Sequence, residues 1–596
     1  MSYSDEDMPE LFSTTQMPVN SCTTSELNAT GPERNTLTQH FMDSSRLSSP
    51  ASSAMIRTRD EAVASCYGAS TMPSTAVPPS DIMEQIQAME RRNHARQQFQ
   101  DIATHLQKLS LSDPEIRVAI HSRQSDGKSI AKSSSIVNAQ RSADGTDTFC
   151  VAQRPEDVDY TLEIDFKTPP RHSKFTCIKC QVVYHPGSDT CVLINRTKGF
   201  LYLVHFEQSY SYSYQLVKSN LPYAIQPGLW GIAATQSDDA VDDCIVNFLL
   251  CERRHTISIY QSENGSLTGQ QALGASSAAE FTTHSANSIS AKELAGAKNN
   301  PLLDLQDGQF ANIQIPLPKT SFRREFSTYQ LDRFRKLSAK GVASVFSGRH
   351  SLLVSEILAV KVIQHKSEQP WSQLLSDSKF WKREKGFLEK LEHPNIVSLK
   401  AFDGRFLALH LELLPPSLAQ GFDSPFRPSD ASKILRTLSS ALKYLESKGI
   451  AHNDIKPSNV AYSPGRGAVL FDFGIASRSN EVEFSGSPWY IPPEFMHSAN
   501  RSPAGDVWAF GIIMLYVLKK IHYPEHMMKS WNIRGIRKAS SADKSDMMVW
   551  LQLIYTTRDG LDKKSPIEYA TFLMLDEDQH SRITAVGIQN TLDYQQ

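Results

Sequence analysis

Apolar residues in the segment 81–111 recur at steps of three and four, beginning with Ile82, Ile86 and Met89. This spacing places them on one face of an amphipathic helix. A polar gap over residues 90–98 interrupts the pattern, so the pattern does not predict a long coiled coil. Two roles remain open for the helix: packing on the domain that follows, or binding a partner or a second copy of the chain.

Short or alternating apolar runs fill the segment 149–261. Turn residues such as Pro186 and Gly187 separate these runs, as they do between antiparallel strands. We therefore expect a separate, small, all-β domain with a sandwich-like arrangement of two sheets. Cys177 and Cys180 lie three residues apart in one run, and that spacing places them on opposite faces of a strand. Ordinary strand cysteines are favoured over zinc ligands for this reason.

Three further segments show no apolar period. Residues 1–80 are rich in Ser, Thr, Pro and Met, which predicts a disordered tail. The segment 112–148 is interpreted as a linker. The segment 262–324 is rich in Ser, Ala, Gly and Asn over most of its length and is interpreted as a flexible linker.

Composition narrows the class of protein. The chain has 62 basic and 64 acidic residues, so no overall field attracts nucleic acid or a membrane surface. The longest apolar run, 507–518, is too short to span a bilayer and is expected to be a buried core helix. All 8 cysteines precede residue 252, and the first thirty residues carry acidic groups without an apolar core. These features favour a reducing, intracellular location, cytoplasmic or nuclear. The oligomeric state stays open.

The stretch 450–474 carries the candidate chemistry. It sets Asp454, Lys456, Asn459 and Asp472 in a fixed order, with strand-like runs after Asn459 and before Asp472. A hairpin of these two runs brings two oxygen ligands and a further carboxylate to the same end of a small sheet. Phosphoryl transfer uses such groups: a carboxylate that accepts a proton, oxygen ligands for Mg²⁺ and an ammonium that offsets phosphate charge.

Two motifs in this stretch carry a family resemblance. Residues 452–459 (H-N-D-I-K-P-S-N) resemble the catalytic loop of protein kinases, and residues 472–474 (D-F-G) resemble the kinase metal-binding motif. The resemblance covers 325–593 and implies an α+β fold class. The fold it implies is a bilobal protein-kinase fold with a small β-rich N-lobe and a helical C-lobe. The separate sandwich-like domain and the disordered segments precede it.

The resemblance also implies roles for the catalytic residues. Asp454 is the base that accepts the hydroxyl proton, and Lys456 stabilises the transferred charge. Asn459 and Asp472 are the Mg²⁺ ligands. The residue types at Lys456 and Ser487 resemble those of serine/threonine kinases rather than tyrosine kinases. In that arrangement the Ser487 hydroxyl can bond both Asp454 and Lys456.

The resemblance further implies an ATP site. Lys361, in A-V-K-V, corresponds to the lysine that holds the α- and β-phosphates, and Glu384 is expected to fix its position. The adenine would lie against backbone groups and apolar side chains of a small set of residues: Glu412, Leu414, Ala359 and Ala461, with Leu411 as the gatekeeper. Further along the chain, Arg582 is expected to pair with Glu494.

The sequence departs from the kinase pattern at two places. The three glycine positions of the phosphate-binding loop hold Ser338, Lys340 and Ala343, which restricts the close approach of backbone amides to phosphates. Asn453 replaces the arginine that normally pairs with a phosphate on the activation loop. We therefore expect activity without activation-loop phosphorylation.

The sequence predicts a protein serine/threonine kinase that transfers the γ-phosphoryl group of ATP, with Mg²⁺, to a serine or threonine of a protein substrate. The β-rich domain 149–261 resembles a forkhead-associated domain, although the Gly-Arg and Ser-x-x-His signature is absent. That resemblance implies a phosphoprotein partner. Two alternatives remain: a pseudokinase scaffold, suggested by the lost glycines, and an adaptor that acts mainly through the β-rich domain.

Overall fold

The computed structural model describes most of the chain after residue 79. The described residues are 80–122, 130–132, 136–141, 146–165, 177–207, 212–234, 244–261, 300–316, 326–340, 343–353, 356–363, 370–479, 481–538 and 541–593. The predicted tail, except for its last residue, and most of the predicted linker 262–324 lie outside them. Within the described residues, none of the helices combines the length and the apolar character needed to cross a membrane.

A helix, α1 (Ser80–Ser110), is present where the sequence predicts one. Its second half packs on the β-rich domain, where Leu106 is fully buried beside Phe206 and Leu229. Its first half leaves Met83 and Met89 exposed. The first of the two proposed roles, packing on the next domain, therefore applies to the second half of the helix.

The β-rich domain consists of two antiparallel sheets that enclose one apolar core. The larger sheet has the strand order β3-β4-β1-β12-β11-β8-β9, and the smaller sheet has the order β10-β7-β6-β5-β2. The strands are β1 (Ile116–Ser122), β2 (Ile130–Lys132), β3 (Ile136–Arg141), β4 (Asp147–Ala152), β5 (Asp159–Asp165), β6 (Cys177–Tyr184), β7 (Cys191–Asn195), β8 (Leu201–Phe206), β9 (Tyr212–Val217), β10 (Pro222–Ile225), β11 (Gly228–Ala233) and β12 (Cys244–Leu250). The predicted sandwich-like arrangement is confirmed.

The boundaries of this domain differ from the prediction. Strands β1, β2 and β3 lie inside 112–148, which was predicted to be a linker. β1 pairs with β12 and β4, so its apolar residues are buried by strands that the local sequence does not reveal. Within β6, Cys177 is exposed and Cys180 is buried, as expected for opposite faces of a strand. The described cysteines are free thiols.

A separate seven-stranded antiparallel sheet begins directly after the sandwich. Its seven strands have the order β13-β14-β15-β16-β17-β19-β18. The elements of this lobe are β13 (Thr256–Gln261), α2 (Pro301–Asp304), β14 (Gln309–Pro316), β15 (Phe326–Lys340), β16 (Ala343–His350), β17 (Leu358–Ile363), α3 (Pro370–Leu388), β18 (Leu399–Asp403) and β19 (Ala408–Glu412).

Two of these strands correct the predicted domain limits. The sequence places β13 within the β-rich domain 149–261, but this strand pairs with β14 at the edge of the separate seven-stranded sheet. α2 and β14 lie within the segment that was predicted to be a flexible linker. β14 forms a strand because Ala311, Ile313 and Ile315 alternate along it and bury one of its faces on the core of this lobe.

The remaining elements form a mainly helical lobe. Its helices are α4 (Pro428–Ser447), α5 (Pro503–Val517), α6 (Pro524–Met527), α7 (Ala542–Asp559), α8 (Pro566–Met574) and α9 (Ala585–Asp593). Its short strands pair as β20 (Ile450–Ala451) with β23 (Ser477–Arg478), and β21 (Val460–Ser463) with β22 (Gly467–Leu470). Every residue of α5 from Asp506 to Val517 is buried, so the apolar run 507–518 is the core helix that the sequence predicted.

Candidate active site

The loop between β20 and β21 is held in place by the central helix α5. The carboxylate of Asp506 accepts hydrogen bonds from the backbone N–H of His452 at 2.7 Å and of Asn453 at 2.9 Å. The buried ring of His452 meets the ring of Phe473 edge-on, with centroids 4.7 Å apart. Asn453 has a φ of 68°, a left-handed conformation that asparagine tolerates better than most residues. The loop therefore has a fixed shape before any ligand binds.

Asp454 lies at the centre of a small polar cluster. Its Oδ1 accepts a hydrogen bond from the Ser487 hydroxyl at 2.8 Å. Its Oδ2 lies 2.8 Å from Nδ2 of Asn459 and 2.8 Å from Nζ of Lys456. Lys456 Nζ also donates to Ser487 Oγ at 2.9 Å, so Ser487 makes both contacts that the sequence suggested. The carboxylate is 13% exposed, which leaves it accessible to a substrate hydroxyl.

The hairpin of β21 and β22 brings the two candidate metal ligands together. Its register, Val460 opposite Leu470, places Asn459 before one strand and Asp472 after the other, at the same end. Asp472 has a φ of 70°. No described residue donates a hydrogen bond to Oδ1 of Asn459 or to Oδ2 of Asp472. These two atoms are the oxygen donors that remain for a cation.

Lys361 of β17 lies between two carboxylates. Its Nζ is 2.7 Å from Oε2 of Glu384 on α3 and 2.7 Å from Oδ1 of Asp472. Burial lowers the pKa of Lys361, but Asp472 and Glu384 outweigh that effect and raise it. Burial likewise raises the pKa of Asp472, and Lys361 more than reverses this, to about 2. The ammonium and the Asp472 carboxylate are therefore both charged at neutral pH.

The residues assigned to the adenine site lie on neighbouring elements. Ala359 of β17 pairs with Leu411 of β19, and Ala461 of β21 is fully buried. The segment after β19 passes beside β21, where Ser417 forms a bridge with Ala461. The carboxylate of Glu412 accepts from Arg466 at 2.6 Å, and the backbone N–H of Glu412 donates to the carbonyl of Ser398 at 3.0 Å. Leu414, two residues further along, packs partly buried against the core.

The three non-glycine positions lie in the hairpin of β15 and β16. The pairing runs through Ser338 opposite Val345 and ends with Lys340 opposite Ala343. The residues between, 341 and 342, lie outside the described part of the chain. The backbone is therefore extended where a glycine-rich loop would have freedom to bend towards a phosphate.

A bidentate ion pair fixes the far side of the helical lobe. Arg582 donates from both terminal nitrogens to Glu494, each at 2.9 Å, as the resemblance implied. The structure adds a contact that the sequence does not predict: Arg383 of α3 lies 2.7 Å from Glu483 in the segment 475–487. The two residues are 100 positions apart, and no local pattern marks them as partners.

The donor set fits Mg²⁺ bound together with a nucleotide. Among the described residues, no group of three or more His, Cys, Asp and Glu side chains is placed to hold a metal ion. Mg²⁺ typically takes only one or two carboxylates from a protein and completes its shell with phosphate oxygens and water. One amide oxygen from Asn459 and one carboxylate oxygen from Asp472 match that requirement.

Comparison with known proteins finds a family match for one part of the chain. Residues 334–592 match the family model of the protein kinase domain. The probable serine/threonine-protein kinase PknB of Lactococcus lactis subsp. lactis is 28% identical over 202 residues, covering 31% of this chain and 31% of that protein. Calcium/calmodulin-dependent protein kinase type 1 of Caenorhabditis briggsae is 27% identical over 222 residues, covering 35% of this chain and 58% of that protein.

A further relative, serine/threonine-protein kinase PLK4 of Drosophila grimshawi, is 30% identical over 217 residues, covering 34% of this chain and 27% of that protein. The chain spans less than two thirds of the length of each of these relatives. The matched range contains the Lys361–Glu384 pair, the Asp454 cluster and the β21–β22 hairpin. Two of these three relatives are named serine/threonine-protein kinases, and residues 334–592 form a eukaryotic-type protein kinase catalytic domain.

Proposed function

We propose that this chain is a protein serine/threonine kinase that transfers the γ-phosphoryl group of Mg²⁺-bound ATP to a protein hydroxyl. The observation that carries the proposal is the contact of Lys361 with both Glu384 and Asp472 at 2.7 Å. Burying a lysine between two carboxylates costs desolvation energy. A site that uses the lysine charge explains why such an arrangement is kept. Here Lys361 lies beside Asp472, where a nucleotide phosphate would be neutralised.

Each residue of the Asp454 cluster has a role in this proposal. Asp454 accepts the proton of the attacking hydroxyl through an oxygen that now bonds Ser487 or Lys456. Lys456 offsets the charge of the phosphoryl group in transfer, and its bond to Ser487 keeps the ammonium beside Asp454. Asn459 and Asp472 would hold Mg²⁺, which neutralises phosphate charge when it is bound. The serine/threonine class follows from the Lys456–Ser487 contact.

A pseudokinase is the second candidate, favoured by one observation. The hairpin of β15 and β16 keeps an extended pairing at Ser338, Lys340 and Ala343, where kinases carry glycine. Retention of the complete Lys361, Glu384 and Asp472 contact set supports the active kinase instead. The phosphoprotein partner predicted for 149–261 remains a proposal.

The test is transfer of labelled γ-phosphate from ATP to a generic protein substrate by the full-length chain. We expect incorporation into serine or threonine with Mg²⁺ and none for Asp454→Asn, which removes the base and keeps the size of the side chain. ATP binding is measured on the same samples. Binding of ATP without transfer by the wild type would favour the pseudokinase.

A further inference from the structure

Three consecutive residues of α3 contact three different parts of the molecule. Lys382 Nζ lies 2.6 Å from Oδ1 of Asp159 in the sandwich domain. Arg383 binds the segment 475–487 and Glu384 binds Lys361, as described above. Successive residues of an α-helix are separated by roughly 100° around its axis, so one turn presents three directions. Any shift of α3 would disturb all three contacts together.

Apolar contacts connect the sandwich to the same helix. Trp381 and Leu374 of α3 are buried in one apolar cluster with four residues of the sandwich: Val158, Val183, Val192 and Ile194. The ring of Trp371, near the start of α3, meets the ring of His185 edge-on, with centroids 5.8 Å apart. Part of the buried face of α3 is therefore covered by the sandwich rather than by the kinase domain.

A backbone contact fixes the same interface. The N–H of Gly404, which follows β18, donates to the carbonyl of Pro155 in the sandwich at 2.6 Å. A Cβ at Gly404 would lie 2.8 Å from that carbonyl oxygen and 3.0 Å from the ring of Trp381. Only a residue without a side chain allows the sandwich loop, the kinase loop and α3 to approach this closely.

Two buried charged residues at this interface, Arg405 and Asp159, have partners of opposite charge. Arg405, next to Gly404, is 2% exposed and makes a bidentate pair with Asp403. Its guanidinium is 3.9 Å from Glu115, which precedes β1 of the sandwich. Asp159 is 8% exposed and accepts from both Lys382 and Gln181.

We propose that the sandwich domain is a built-in positioning element for α3, which holds the helix where Glu384 reaches Lys361. Asp159 and Lys382 are positioning residues, because neither touches the reacting atoms. Release of the sandwich would free α3 to move, and Lys361 would lose one of its two carboxylate partners. This inference rests on the proposed kinase function for its effect on turnover, and on the structure alone for its effect on α3.

Charge reversal in the full-length chain tests the proposal. Asp159→Lys places an ammonium against Lys382, and the double variant Asp159→Lys, Lys382→Asp restores an ion pair with the opposite polarity. The control is Glu156→Lys, a charge reversal at an exposed position of the loop just before β5. Three quantities are measured: kcat with KM for ATP, ATP binding, and amide hydrogen exchange of residues 370–388.

We expect Asp159→Lys to lower kcat/KM about tenfold, within the usual range of coupling between sites, and to speed hydrogen exchange in α3. The double variant should recover both, and the control should change neither. Faster exchange in α3 with unchanged kcat/KM and unchanged ATP binding would overturn the proposal, as would a double variant no better than Asp159→Lys.

If the wild type transfers no phosphate, the proposed function fails and the positioning proposal is decided by ATP binding and exchange. Weaker ATP binding by Asp159→Lys would then support it, and equal binding with faster exchange would overturn it. A second pair of variants covers the case in which Asp159→Lys does not fold. Gly404→Ala places a methyl group against the carbonyl of Pro155 and forces the two domains apart. Gly386→Ala adds a methyl group to α3 with no atom within 4 Å. Equal kcat/KM and equal exchange for these two variants would also overturn the proposal.

Discussion

At the scale of single residues, the site depends on charges held where burial would otherwise neutralise them. Glu384 is 1% exposed, and burial raises its pKa while Lys361 opposes that change. Lys361 contacts the carboxylates of Glu384 and Asp472, which outweigh burial and raise its pKa. Asp472 takes a left-handed backbone conformation that places its carboxylate beside Lys361, and asparagine can adopt the same conformation.

Asp472→Asn should therefore separate chemistry from folding. The amide keeps the backbone conformation and a hydrogen-bond acceptor for Lys361, but it removes the negative charge that would hold Mg²⁺. We expect phosphotransfer to be abolished and the free energy of unfolding to change by no more than about 1 kcal/mol, the size of an ordinary substitution. Phosphotransfer assays with Mg²⁺ and thermal unfolding measure the two effects. A variant that kept most of its activity would show that Asp472 is not the metal ligand.

The hairpin of β15 and β16 carries larger residues at the positions where kinases have glycine. Glycine at positions 340 and 343 should give the backbone the freedom to approach phosphates, and we expect ATP to bind about tenfold more tightly, or about 1.4 kcal/mol. ATP titration with Mg²⁺ compares the Lys340→Gly, Ala343→Gly double variant with the wild type. Lys336→Gly, on the same strand, is the matched control for loss of a lysine.

Weaker ATP binding by the double variant would contradict this expectation and assign the Lys340 ammonium to the phosphates. That loss should be larger at low salt, because ions screen an exposed charge.

At the scale of elements, the carboxylate of Glu483 connects the segment 475–487 to Arg383 of α3. It occupies the role that a phosphate has in kinases activated by phosphorylation. Burial raises the pKa of Glu483, but the contacts with Arg383 and Ser485 outweigh it and lower the pKa. Glu483 is therefore charged at neutral pH and pairs with Arg383 across the lobes. The guanidinium of Arg501 also bonds the carbonyls of Glu483 and Ser485. Near the start of the segment, Asn453 bonds the Ser477 hydroxyl at 2.9 Å. These contacts order the segment without a phosphate.

We expect phosphatase treatment to leave the activity of the purified chain unchanged, since Glu483 already supplies the negative charge. Glu483→Arg should lower kcat/KM about tenfold, within the ordinary range of coupling energies, and adding Arg383→Glu should restore much of it. Glu481→Lys, an exposed neighbour, is the control. Loss of activity after phosphatase treatment, with recovery on rephosphorylation of 475–487, would contradict the prediction.

At the scale of the whole molecule, the kinase domain shares its small lobe with the segment before it. β13, α2 and β14 bury Ile257, Leu302 and Ile313 in one apolar cluster with Leu331 and Phe346 of the kinase strands. β14 also occupies the edge of β15, which would otherwise carry unpaired backbone groups. The folding unit is therefore longer than the range 334–592 that matches the family model.

A chain that begins at residue 325 should consequently be less stable than one that begins at 253. Removal of β13, α2 and β14 exposes the apolar cluster and an unpaired strand edge, which favours aggregation. We expect a melting temperature lower by at least about 5 °C, which corresponds to roughly 2 kcal/mol for a chain of this size. Thermal unfolding and soluble yield compare the two chains. Equal stability would show that the two added strands do not belong to the folding unit.

The sequence alone determined the parts of this protein that depend on short spacings. Asp454, Lys456 and Asn459 lie within six residues, and a tight turn brings Asp472 back to them, so their grouping follows from local geometry. The resemblance to kinases also supplied the Arg582–Glu494 pair across 88 residues.

Tertiary structure decided which strands share a sheet and which charges meet across domains. The patterns of β1, β13 and β14 would fit a strand of either domain, so their sequence could not show that β1 joins the sandwich and the other two extend the kinase lobe. The Asp159–Lys382 contact joins residues 223 positions apart. Such contacts depend on how complete domains pack, and the spacing of residues along the chain carries no record of that packing.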